Sequence, residues 1–245
     1  MSALKWKKEK IIAMIPARMG SARLRMKNLA LLGGKPLIYY AIHAARKSRA
    51  FNRIVINSED TIFSKIAKRY NVEFYQRPSK HATAGAKSDS VVYDFIQNNP
   101  CDIVVWVNPI APLQTAEEIK KAVNHFIKEK LDTLITVKDE QVHCIYKGRP
   151  VNFKKKGLFA KTQDLKPVRP FVYSLMMWKA DPFVRAFKNK GYALLSGKVG
   201  FYPVSKTSSI IIKRDIDLIM ADAMLCALSG RKKYKVNYDS LAKRG

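Results

Sequence analysis

The sequence predicts an α/β fold built on a mostly parallel sheet with helices on both faces. Three observations carry this. Strand-like and helix-like segments alternate from residue 10 to about residue 138. The run DIVVWVNP (102–109) is apolar along its middle, as a strand covered on both faces must be. TAEEIKKAVNHFIKEK (115–130) repeats its apolar residues at helical spacing.

Taken in order, KIIAMIPA (10–17) is a short apolar run that ends in Pro and a loop, which suits a buried parallel strand. PLIYYAIHAARKS (36–48) has helical spacing, RIVINS (53–58) reads as a second strand and TIFSKIAKRY (61–70) as a second helix. VEFYQRP (72–78) is a third strand and SDSVVYDFIQNN (88–99) a third helix. Thr115 is the capping residue of the 115–130 helix, with Glu118 three residues on. DTLITVK (132–138) follows as a strand. This βαβα order argues for parallel pairing with crossover helices. The pattern weakens between about 139 and 175, where Gly, Pro and Lys interrupt short β-like pieces, and an inserted arm is expected there. Regularity returns with a strand in GFYPVSKTSSIIIK (200–213) and a helix in IDLIMADAMLCALSG (216–230). No repeat or low-complexity linker divides the chain, so residues 1–245 are expected to form one domain.

The formal net charge is +27, and residues 141–245 hold 22 Lys and Arg against six Asp and no Glu. Such an excess fits either a phosphate-bearing partner or a lysine-rich surface spread over solvated faces; the basic residues are mostly scattered, which favours the second. A nucleic-acid partner is therefore not expected. No apolar run approaches the ~18 residues that span a bilayer. The Lys-rich start reads as a lead-in to the first strand, its apolar stretch being too short for a signal peptide. Three dispersed cysteines, Cys101, Cys144 and Cys226, form no CxxC pair and suggest a reducing, cytoplasmic setting without structural zinc.

Three segments are candidates for chemistry. RMGSARLRMKN (18–28) leaves the first strand as a Gly-containing turn, whose backbone N–H groups suit an anion, and Arg18, Arg23, Arg25 and Lys27 add charge. It has neither Walker A nor GxGxxG spacing; a solvated basic turn is the competing reading, and its place at the first strand's end favours phosphate. Asp215-Ile216-Asp217 follows the strand-like SIIIK, and in extended backbone both carboxylates share one face, as Mg²⁺ would require. Alternatively, Asp217 caps the next helix and Asp215 is simply exposed. VNPIAPLQT (107–115) is a double-Pro loop whose Asn108 and Gln114 amides could bond a sugar or nucleotide, or merely connect a strand to the Thr115 cap.

These segments together resemble a known family. IPARMGSARLRMKN (15–28) resembles the ARxGSxxxxxKN motif of acylneuraminate cytidylyltransferases. RIVINSED is similar to that family's strand ending in STD, Arg77-Pro78 to the start of its RPxxLA segment, NPIAPLQ to its QPTSPLR, and the DID triplet to its metal-binding DID. The resemblance implies a Rossmann-like nucleotidyltransferase fold in which the inserted arm makes a homodimer. It implies that Arg18 and Lys27 hold the triphosphate of CTP, acting in catalysis with Asp217, and that Gly20, Ser21 and Asn28 lie against the nucleotide. Arg77, Ala86 and Ser88 would face base and ribose; Asn108, Gln114 and Arg169 would face an acidic sugar; Asp215 and Asp217 would ligate Mg²⁺. The implied reaction transfers CMP from CTP to a nonulosonic acid, of the sialic or legionaminic type, with release of pyrophosphate. The chain departs from the pattern mostly on the sugar side: Gln114 stands where the family has Arg, Ala111 where it has Ser, and RPFVYSLMMWKAD (169–181) lacks the family's Asn-Gly. Another nucleotide, a non-sialic acceptor such as a phosphonate, and a noncatalytic basic binding protein stand as alternatives; the presence of Arg18, Lys27, Asp215 and Asp217 argues against the last.

Overall fold

The computed structural model describes residues 9–21, 23–83 and 85–229. The first half runs β1 (Ile11–Pro16), β2 (Leu31–Leu32), β3 (Lys35–Pro36), α1 (Leu37–Ser48), β4 (Arg53–Ser58), α2 (Ile62–Arg69), β5 (Glu73–Gln76) and α3 (Ser88–Asn98). It continues with β6 (Ile103–Val107), α4 (Ala116–Lys128), β7 (Thr133–Val137), β8 (Ile145–Tyr146), β9 (Arg149–Pro150), β10 (Phe171–Lys179), α5 (Ala180–Lys190), β11 (Val199–Pro203) and α6 (Asp215–Ser229). Seven strands form one sheet in the order β11-β7-β10-β6-β1-β4-β5. Every pairing is parallel except the two made by β10, which runs antiparallel to β6 and β7.

The side-chain alternation of β1 shows how the sheet acquires two covered faces. Ile11, Ala13 and Ile15 point into a core shared with Ile38 and Ile42 of α1, Phe63 of α2 and Phe126 of α4. Ile12 and Met14 point the other way, into a core with Val92 and Phe95 of α3 and Phe183 of α5. All five β1 residues from Ile11 to Ile15 are buried, the pattern of a central parallel strand. Each fully buried aromatic or aliphatic side chain of this kind stabilises the fold by about 1.5–3 kcal/mol.

The expected elements through residue 138 are all present, and Thr115 does cap α4, its hydroxyl accepting from Glu118 N at 3.2 Å. Glu118 does not reach back to complete a capping box; its carboxylate bonds Gln114 and the backbone and hydroxyl of the 205–208 turn instead. Three boundaries differ from expectation. The arm is the excursion between Val137 and Phe171, because Phe171–Ser174, expected within it, already belong to β10. The strand expected over 200–213 is confined to Val199–Pro203; after Pro203 the chain enters a turn held by Ser205 and Ser208 and no further pairing forms. β10 and α5 were not expected. The alternation of β10 is hidden by a register shift between Phe171 and Met176, where Tyr173 takes a left-handed φ of 57°.

Within the arm, the β8–β9 hairpin turns at Lys147 and Gly148, both at positive φ, as two-residue hairpin turns demand. Ile145, Tyr146, Leu158 and Phe159 are exposed there. Among the described residues no helix is long and apolar enough to cross a membrane.

Candidate active site

Successive strands β1, β4 and β5 step outward on one side, and the chain then returns to place β6 on the other side of β1. The sheet order thus reverses between β1 and β6, the place where open α/β sheets bind ligands beyond their strands' carboxyl ends. A cavity of about 420 Å³ opens there. Its wall takes Pro16, Ala17 and Arg18 from the end of β1, Arg77 from the end of β5, and Trp106 and Asn108 from β6. Four basic side chains line it, Arg18, Arg23, Lys27 and Arg77, and among the described residues no carboxylate does. A concave site lined by one sign of charge concentrates anions.

Lys27 sits in the short helical turn Lys27–Leu29, entered through Met26 in the left-handed conformation. Its ammonium donates to the Ile212 carbonyl at 3.1 Å. Burial pushes its pKa below the ordinary lysine value, Arg23 and Arg18 push it the same way, and Asp217 opposes them. An anion in the cavity would relieve that repulsion. Arg18 donates to the Thr83 carbonyl at 3.3 Å, and the buried Asn28 amide donates to the Arg18 carbonyl at 3.4 Å, tying both ends of the loop together.

Arg77 is 5% exposed. Its guanidinium donates to Glu59 Oε2 at 2.8 Å and to the Ala17 carbonyl at 3.2 Å, while Glu59 Oε1 accepts from Met19 N at 3.0 Å. Arg77 and Glu59 therefore brace the base of the first loop. Much of the Arg77 charge is answered by Glu59, which leaves Arg18, Arg23 and Lys27 as the cations facing a ligand. Sequence reasoning did not single out Glu59; the SED of RIVINSED carried the signal.

Asp215 and Asp217 are not on extended backbone. They occupy the first turn of α6, where residues two apart project about 200° apart. The shared-face argument for two metal ligands does not hold. Asp217 Oδ2 accepts from the amides of Lys213 and Arg214, each at 2.8 Å, and these two bonds hold its carboxyl below the usual range, Arg214's the more. Asp217 is therefore not the N-cap expected as the alternative: it is the third residue of α6, and one of its oxygens reaches back to the two amides before the helix. Its other oxygen, its negative charge and its electrostatic coupling to Lys27 fit a Mg²⁺ held by one carboxylate plus substrate phosphates. Asp215 is exposed, with Oδ1 accepting from its neighbour Ile216 N. It does not fit as a second ligand unless the first turn unwinds.

The position of Asp217 is set from a distance. Glu118 holds Ser205 and Ser208, and the chain then returns along the double-Pro loop, where Ile212 N donates to the Ile110 carbonyl at 2.8 Å. Midway along α6, Asp222 accepts from Gly33 N at 2.8 Å.

Of the residues expected at the site, Arg18, Ser21, Lys27, Asn28, Arg77, Ala86, Ser88 and Asn108 line the cavity. Gly20 lies in the same loop without lining it. Asn108 donates its side-chain amide to the Tyr173 carbonyl at 3.0 Å, and so anchors the bulge of β10. Gln114, Arg169, Asp215 and Asp217 are not among the residues that line the cavity. Gln114 is buried with its amide donating to Glu118 Oε2 at 2.9 Å, and exposed Arg169 pairs with Asp139 at 2.8 Å at the root of the arm. Sequence reasoning missed Trp106, Thr83 and His81, which line it too. No disulfide joins Cys101, Cys144 and Cys226, and burial pushes the Cys101 thiol up to about 12, so it is no nucleophile.

Fold and cavity together define the class: a Rossmann-like nucleotidyltransferase fold with a cationic crevice at its switch point. Residues 12–167, more than half of the chain, match the profile of the family described as Cytidylyltransferase. The chain belongs to that family. It is 33% identical over 134 residues to an N-acylneuraminate cytidylyltransferase of Escherichia coli, covering 52% of this chain and 31% of the relative. It is 33% identical over 127 residues to a pseudaminic acid cytidylyltransferase of Campylobacter jejuni, covering 49% of this chain and 55% of the relative. The matches thus span a third to about half of these relatives' length. Among solved structures, a CMP:2-keto-3-deoxy-manno-octonic acid synthetase complexed with CTP superposes with a TM-score of 0.65 at 12% identity, over 89% of this chain and 98% of that one. That likeness is one of fold.

Proposed function

We propose that the protein transfers CMP from CTP to an acidic sugar of the nonulosonic or ketodeoxy class, releasing pyrophosphate. The observation that carries this is the cavity at the β1–β6 switch point, walled by Arg18, Arg23 and Lys27 and, among the described residues, by no carboxylate, in a chain of the cytidylyltransferase family. The named relatives act on sialic and pseudaminic acids, which supports an acidic acceptor.

A hydroxyl of the acceptor attacks the α-phosphorus of CTP and gives up its proton to solvent; the new O–P bond forms as the bond to the bridging oxygen of the β-phosphate breaks, and that oxygen leaves with pyrophosphate. The residues supply position and charge. The first loop would present backbone and cations to the triphosphate, and Lys27 would answer the negative charge that moves toward the leaving group. Mg²⁺ at Asp217 would add a Lewis acid that offsets phosphate charge. We place the reaction in the cytoplasm and the protein in a homodimer, whose contact would cover the exposed Ile145, Tyr146, Leu158 and Phe159 of the arm.

The test is pyrophosphate release with each of four nucleoside triphosphates against N-acetylneuraminate, pseudaminate, legionaminate and 3-deoxy-manno-octulosonate. Release with CTP and at least one of these acids is expected. Release with none, or equal release with all four nucleotides, would overturn the reading.

A further inference from the structure

The cavity contains a side chain that neither the motif nor the mechanism uses. His81 lines it together with Thr83, Ala86 and Ser88. In the segment similar to RPxxLA, the chain reads RPSKHA, so His81 stands where that pattern has leucine. The substitution comes with a partner. Asp94, on α3, places Oδ1 3.8 Å from His81 Nε2, and both side chains are 15% exposed. The other oxygen, Oδ2, accepts from the Tyr75 hydroxyl at 2.8 Å. Burial, followed by the bond to Asp94, raises the Tyr75 pKa, so the phenol stays a donor and fixes the carboxylate.

At 3.8 Å the contact is longer than a hydrogen bond, yet a carboxylate on that side favours the tautomer with the proton on Nε2. Nδ1 is then the nitrogen left for a ligand, and in neutral imidazole it is an acceptor. We infer that His81, positioned by Asp94 and Tyr75, is a nucleoside-reading residue: its Nδ1 accepts a hydrogen bond from a donor on the cytidine moiety. This rests on the cytidylyl-transfer reading and refines its nucleotide side. Two donors have that chemistry, the 4-amino group of cytosine and a ribose hydroxyl. Uracil presents an acceptor oxygen where cytosine has its amine, so the first source makes His81 a filter against UTP.

The experiment is calorimetric titration of the full chain with CTP, UTP and dCTP, for wild type, His81→Leu and His81→Gln. Loss of one neutral hydrogen bond corresponds to about three- to tenfold in affinity. If the amine is read, His81→Leu weakens CTP by that factor and leaves UTP unchanged. If a ribose hydroxyl is read, it weakens CTP and UTP alike, sparing dCTP where that hydroxyl is the 2′ and weakening it as well where it is the 3′. His81→Gln, whose amide oxygen is again an acceptor, restores part of the loss in either case. Asp94→Asn, which leaves the imidazole but frees its tautomer, should lose less than His81→Leu with the same nucleotide pattern. Wild-type CTP binding with unchanged affinities in His81→Leu would overturn the assignment alone. A wild type that binds no CTP would overturn the assignment together with the reading beneath it.

Discussion

The two sides of the crevice are built differently. On the nucleotide side, Arg18, Lys27 and Asn28 of the loop after β1 and Arg77, His81 and Ser88 of the β5–α3 connection converge on one cavity although they come from two separate loops. On the side beyond β6, Asn108 is spent on the β10 bulge, Gln114 on Glu118 and Arg169 on Asp139. The difference lies in what each arrangement needs. A phosphate loop needs a turn at a strand's carboxyl end with donors and cations in sequence, and local chain order supplies these. An acceptor pocket needs side chains from distant segments to point inward, and each of these three polar groups found a nearer partner first. Of the three only Gln114 is buried, and for it leaving the amide donor unpaired would cost about 1–3 kcal/mol.

The largest effect expected separates the two carboxylates of α6. Asp217→Asn should lower turnover by about 100-fold, the scale for removing one electrostatic group at a reacting phosphate. Asp215→Asn should change it by less than about threefold, as an exposed charge does. Equal losses would restore the paired-ligand view and show that the first turn of α6 opens. Folding of both variants is checked by circular dichroism; Asp217→Asn also weakens the bonds to the 213 and 214 amides.

The next prediction concerns pH. Lys27 carries a pKa below its ordinary value in the unliganded protein. Triphosphate binding needs its charged form, so affinity should fall as pH rises through that lowered value, before free lysine would titrate. In Lys27→Met the fall should vanish, and the unliganded variant should melt about 1–3 °C higher because an unfavourable cation is gone. An unchanged alkaline profile in Lys27→Met would show that the cation does not touch the ligand.

Smaller effects belong to the far side. Gln114→Arg puts the family's residue back, but beside buried Glu118. Preference among acidic acceptors, measured as kcat/KM ratios, should shift by less than about threefold. A larger shift would mean that residue 114 reaches the acceptor. Arg169→Ala should cost at most about 1 kcal/mol by denaturant melt and leave acceptor KM unchanged, since it breaks an exposed ion pair.

The same contrast explains what the sequence could disclose. The strands and helices through residue 138 were legible because their apolar residues repeat at one period per element. β10 was not, because Tyr173 at positive φ breaks its alternation and the strand follows directly on an irregular arm. The DID triplet was legible as a place of interest but not in its geometry: SIIIK looks like a strand, yet after Pro203 no neighbouring strand pairs with it. His81 escaped notice because a lone histidine has no spacing to betray it; only Asp94 and Tyr75, distant in sequence, give it meaning.

The central claim is that the first loop builds a triphosphate site. The most direct measurement is calorimetric titration of wild type and Lys27→Ala with CTP and with cytidine. A charge-assisted contact contributes about 1.5–3 kcal/mol, so CTP affinity should fall by at least tenfold while cytidine affinity is unchanged. Equal losses for both ligands, or no loss for CTP, would contradict it.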